Sequence, residues 1–173
     1  MCRDKMCRDK MIEPDENFML RLREALEASW DRLTAYGAVE KAGNPAFGQC
    51  YPTARVVQHY YPATEIIRGK IWTGESEEIH FWNGLPVGDK WYHIDFCWGQ
   101  FPPGSVVREF AALDRCELGD SAATLERCAL LLKRVEAFLI NASQQAQAPL
   151  YDPETSTATR ALTPQGDGPP SNP

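Results

Sequence analysis

The chain has 173 residues, 43% of them hydrophobic and 24% charged, which suits one globular domain with room for its own core. A net charge of −6, with Lys and Arg scattered rather than clustered, argues against a general nucleic-acid or anionic-membrane binder. No run is apolar enough to cross a bilayer and no apolar segment follows the first charges as a secretory signal would, so a cytoplasmic protein with reduced cysteines is expected.

Residues 1–5 and 6–10 repeat the same letters, MCRDK. Cys2 and Cys7 have no His or Cys nearby at zinc spacing, so the repeat reads as a short duplication, and residues 1–13 are expected to be disordered. A first helix is predicted over 14–36. Pro14, Asp15 and Glu16 favour its start, Met19, Leu22, Leu26, Trp30 and Leu33 recur at helical spacing, and Gly37 suits its end. A loop over 38–49 carries Gly43, Asn44, Pro45 and Gly48 as turn formers. A second helix is predicted over 50–60, with Pro52 tolerated in its first turn and Pro62 closing it.

Strands are predicted over 64–72, 77–83 and 90–96, each rich in Ile, Trp, Phe or Tyr. Gly74 breaks the first pair, and Gly84, Pro86 and Gly88 break the second, so the short links imply an antiparallel meander. After the loop marked by Pro102, Pro103 and Gly104, a short helix is expected within 105–116. A helix over 124–140 places Leu125, Cys128, Leu132, Val135 and Leu139 on one face, with Cys128 as a small core residue. From residue 144 the chain turns to Pro, Ser, Thr and Gln, and 144–173 reads as a disordered tail. The expected architecture is a single α+β domain over 14–143. In it a helix packs on a small antiparallel sheet, with flanking N- and C-terminal helices.

The residues with chemical potential fall in three segments: Gly48-Gln49-Cys50, His80-Phe81-Trp82-Asn83 and Trp91-Tyr92-His93-Ile94-Asp95. A thiol is mostly protonated at neutral pH, and a helix N-terminus or a nearby imidazolium favours the thiolate. Cys50 opens the second helix, and Gly48 lets the chain turn sharply into it. Alone, Cys50 also fits a buried structural thiol. His80 alternates with Ile79 and Phe81; if those two face the core, His80 faces the cleft. Asp95 lies on the next strand, within cross-strand reach of His80, where it can fix the tautomer of the ring. His93 and His59 are rival bases. Gln49 and Gln100 could donate an amide to an oxyanion or a substrate, Trp82 and Trp98 could wall a groove, and Asn83 suits a turn. Zinc would accept Cys50, Cys97, His80, His93 or Asp95, but no compact ligand pair such as C-x-x-C supports a metal site, and none is expected.

Gly48-Gln49-Cys50, His80-x-Trp82-Asn83 and Trp91-x-x-x-Asp95 resemble the three catalytic segments of the transglutaminase-like branch of papain-like cysteine enzymes. The resemblance implies a papain-like, transglutaminase-like core with Cys50 as nucleophile, His80 as base and Asp95 as the group that orients the base. The stretch from about residue 40 to 105 also resembles the small bacterial YunG-like proteins, through the GQC segment, the H-x-W-N segment and an aspartate followed by Gln100-Phe101. No calcium-loop pattern is present, and no cofactor is expected. The function this implies is hydrolysis of an amide or isopeptide bond in a protein, peptide or small amide, through a thioester. Acyl transfer, glutamine deamidation and a non-catalytic binding module on the same fold are the alternatives. Neither nucleic acid nor membrane is an expected partner.

Overall fold

The computed structural model describes residues 15–115 and 118–147. The duplicated start, Cys116 and residues 148–173 of the expected tail lie outside the described residues. Three helices and a four-stranded antiparallel sheet make an α+β fold.

Helix α1 (Glu16–Ser29) starts at Asp15, whose carboxylate accepts the Asn17 N–H at 3.0 Å. It buries Leu22, Ala25, Leu26 and Ser29. The helix ends at Ser29 rather than near residue 36, because Asp31 offers the following amides a different partner. Its carboxylate accepts from Leu33 at 2.8 Å and from Thr34 at 3.2 Å, and that turn replaces the next helical bonds. Leu33, expected on the buried stripe, is exposed.

Helix α2 (Cys50–Tyr60) has the predicted bounds and buries Tyr51, Ala54, Val56 and Val57. Strands β1 (Glu65–Trp72), β2 (Glu77–Val87) and β3 (Lys90–Ile94) form the predicted meander, but β2 continues past residue 83 because Gly84 and Pro86 sit in its ladder with β3 rather than in the turn. A fourth strand, β4 (Val106–Ala112), stands where a short helix was expected, and the sheet order is β3-β2-β1-β4. Every residue of β4 is exposed, so neither a helical nor an alternating burial pattern marks it in the sequence. Its Val106-Val107 pair suits an extended edge, and β1 supplies the unpaired side.

Helix α3 (Ala122–Gln147) is longer than its predicted range and takes in 144–147 of the expected tail. Ser121 caps it by accepting the Thr124 N–H. Its buried stripe runs through Leu131, Val135 and Leu139, while Leu125, expected on that stripe, is half exposed. The main core gathers Leu22, Leu26, Val56, Val57, Ile94, Leu131 and Val135 from all three helices and β3. A second cluster, Ile67, Ile71, Trp82 and Phe101, lies on the other side of the sheet. Among the described residues no helix is long and apolar enough to cross a membrane.

Candidate active site

The nucleophile candidate is held by the loop before α2. Gly48 has φ +75°, a left-handed conformation that costs a side-chain-bearing residue energy, and a Cβ there would lie 3.0 Å from Val39. Gly48 also accepts the Tyr36 N–H through its carbonyl at 2.7 Å, which closes the loop. Gln49 is fully buried. Its amide donates to the Asp31 carbonyl at 2.8 Å, and its oxygen accepts from the Thr34 hydroxyl at 3.0 Å. The Gln49 side chain therefore anchors the loop, with both ends of its amide bonded away from the sulfur. No side chain caps the first N–H groups of α2, so its start keeps backbone donors beside Cys50.

His80 is completely buried, and Ile79 is 42% exposed, the reverse of the expected facing. Both faces of β2 are covered at this point. Phe81 packs edge-to-face on Tyr51 of α2 at 4.9 Å, while the other face lies under the segment after β3, where Trp98 and Phe101 meet the His80 ring at 6.2 and 4.9 Å. The alternation was legible, but the second covering layer was not.

Strand β3 pairs with β2 only from Asn83 to Val87, so residues 77–82 have β1 on one side alone. Into that gap come Asp95 and the residues after it. Asp95 Oδ1 accepts the Cys97 N–H at 2.9 Å, and Oδ2 bonds His80 Nε2 at 2.7 Å. Gln100 lies in the turn Trp98–Gln100, tied down by the Asn44 amide on its carbonyl at 2.8 Å. Its side-chain amide meets His80 Nδ1 at 2.9 Å. The Cys50 thiol lines one crevice with Asp95 and Trp82 and acts on the same ring electrostatically. Cys50, His80, Asp95 and Gln100 are thus brought together.

Burial alone would lower the His80 pKa. The hydrogen bonds to Asp95 and Cys50 and the negative charge of both outweigh it and raise the value to about 9. The other described cysteines differ from Cys50 in setting. Burial pushes the Cys97 thiol well up, and it pushes Cys128 up to about 11. Cys128 packs against the Tyr51, Ala54 and Ile66 cluster, in keeping with a core thiol. Cys97 shares a narrow crevice with Cys50, Thr53, Asp95 and Trp82, too tight for a water-sized sphere.

Trp82 stacks on His80 at 5.5 Å and donates its indole N–H to His93 Nδ1 at 2.8 Å. That bond makes His93 a partner of the tryptophan. His59 sits in the last turn of α2, against Tyr60. Asn83, expected at a turn, is instead buried in β2, where its amide donates to the Ala54 carbonyl at 3.0 Å and the Thr64 hydroxyl at 3.2 Å and locks the sheet to α2. Among the described residues no group of three or more His, Cys, Asp or Glu side chains is placed to hold a metal ion. Thr53 in the crevice, and Val107 and Phe110 beside Trp82, carry no local signal, and Cys97 stands out in the sequence only as a candidate metal ligand; all four depend on which elements meet across the sheet.

A family model described as YunG protein matches residues 19–140, from α1 through most of α3. The chain belongs to the YunG family. No curated protein and no solved structure matches it.

Proposed function

We propose that this YunG-family chain is a thiol enzyme that cleaves an amide or isopeptide bond, with Cys50 as nucleophile, His80 as base and Asp95 as the group that orients the base. The observation that carries the reading is His80 held by Asp95 at 2.7 Å through Nε2, with Cys50 in the same crevice as Asp95. On this reading the domain is a papain-like, transglutaminase-like core, with the nucleophile at the head of a helix and the base and its orienter on an antiparallel sheet. A protein, a peptide or a small amide would be the substrate. No cofactor enters the chemistry.

Asp95 occupies Nε2 and Gln100 meets Nδ1, so Nδ1 is the nitrogen that exchanges protons once the Gln100 amide turns aside. The thiol proton passes to Nδ1 and the sulfur attacks the carbonyl carbon. The oxyanion takes a backbone N–H at the uncapped start of α2. Collapse breaks the C–N bond, and Nδ1–H protonates the departing amine. Water then gives a proton to Nδ1 and attacks the thioester, releasing the carboxylic acid and returning the thiol. An amine in place of water gives acyl transfer, and a glutamine side chain in place of a backbone amide gives deamidation. Gln100 covers Nδ1 in the resting site, donating to the neutral ring, and leaves it while the proton moves between sulfur, ring and amine.

The test is turnover of a panel of N-acyl peptide amides, isopeptides and glutamine peptides, read as released amine and as an acyl adduct on Cys50 by intact mass. Cys50→Ala should abolish both with an unchanged circular dichroism spectrum. Turnover retained by that variant rules the mechanism out. The tight crevice around Cys50 and the full burial of His80 favour one second reading, a binding module with a sealed thiol. A sealed thiol would resist small electrophiles that label an enzymatic one.

A further inference from the structure

We propose that the groove on the sheet face opposite α2 is a substrate side-chain pocket that takes an aromatic residue flanking the bond to be cleaved. This rests on the thiol-enzyme reading above. The groove has a volume of about 320 Å³ and is lined by Trp82, His93, Asp95, Trp98, Val107 and Phe110. That is the small end of ligand pockets, roughly 300–1,000 Å³, and suits one side chain rather than a whole metabolite.

Position argues for substrate. Asp95 lines both this groove and the crevice that holds Cys50, so an occupant would lie beside the carboxylate that holds His80. Trp82 also lines both, and its opposite neighbour in the ring stack is His80 itself. The groove is continuous with the proposed chemistry.

Composition argues for an aromatic occupant. The floor is the Trp82 indole, laid flat across β1 because Gly69 has no side chain; a Cβ at Gly69 would lie 2.4 Å from the ring. The polar N–H of that indole is spent on His93, so the floor offers carbon. Phe110 stands at right angles to His93 at 5.4 Å and tilted against Trp82 at 6.0 Å, leaving ring edges and faces for another ring to meet. Trp98 and Phe110 are 38% and 48% exposed, side chains that an isolated surface has no reason to gather around one hollow.

The test has two arms. In the first, the intact protein is labelled with acyloxymethyl ketones that differ only in carrying a phenylalanine or a glycine side chain. Cys50 modification by the phenylalanine probe should be faster by about tenfold or more, and the ratio should fall toward one in Phe110→Ala, whereas a wild-type ratio within about twofold of one overturns the pocket. In the second arm, Cys50→Ala protein is titrated with N-acetylphenylalaninamide and N-acetylglycinamide, followed by tryptophan fluorescence. Selective binding of the aromatic amide supports the pocket without any chemistry at Cys50, and equal binding overturns it. Inert Cys50 with selective binding would sink the thiol-enzyme reading; reactive Cys50 with no selectivity would sink the pocket alone.

Discussion

Asp95 uses its two oxygens for two purposes. One is fixed by the Cys97 amide, so the carboxylate cannot swing away, and the other holds His80. A residue that orients the base matters less than the base itself. His80→Ala should therefore slow the labelling of Cys50 by about a hundredfold or more, and Asp95→Ala should slow it less, both measured by intact mass. The same pair sets a pH dependence of stability. His80 has a pKa of about 9 in the fold against the ordinary histidine value of 6.5. The folded state thus binds the proton more tightly. This stabilisation is complete below pH 6.5 and is lost as the pH rises through about 9. Urea unfolding of the wild type should lose stability relative to His80→Gln across that window, by at most about 1.4 kcal/mol per pH unit. A difference that grows with pH would contradict it. The residues of this site were legible because Cys50, His80 and Asp95 each stand in a distinctive local segment. The part played by Gln49 was not, since its buried amide answers to Asp31 and Thr34, far back in the chain.

Among the elements, those bounded by clear turn formers could be read from the sequence most closely. Helix α2 and strand β1 carry enough Val, Ile and aromatic residues between turn formers to be placed closely, whereas β2 runs on through Gly84 and Pro86, which pair with β3 instead of breaking the strand. Strand β4 buries nothing, so its pairing with β1 is fixed by the sheet rather than by its own pattern. The end of α1 depends on one side chain, Asp31, that outcompetes the helix. Two glycines carry the geometry between elements. Gly48→Ala places a side chain at φ +75° and should destabilise the fold by about 1–2 kcal/mol, seen as a lower urea midpoint with slower Cys50 labelling. Gly69→Ala drives a methyl into Trp82 and should cost about 1–3 kcal/mol. If either variant matched the wild type in chemical denaturation, the loop or the Trp82 platform would have been misjudged.

At the scale of the whole molecule, the sheet is covered on one side by α2 and on the other by the segment from Asp95 to Phe101, and the candidate site lies where β3 stops short between them. The α+β class follows from the order of helical and alternating patterns. The double covering does not, because residues 97–105 show no periodicity of their own. Leu131 sits in the core that α3 shares with α1 and α2, so Leu131→Ala should cost about 2–5 kcal/mol while leaving the bonds around His80 in place. Activation of the Cys50 sulfur by the His80 imidazole is read out by the rate of iodoacetamide labelling against pH. Labelling should be rapid well below about pH 8 and lose that rate in His80→Ala. Labelling that climbs with pH as an ordinary thiol does, at the same rate with and without His80, would contradict it.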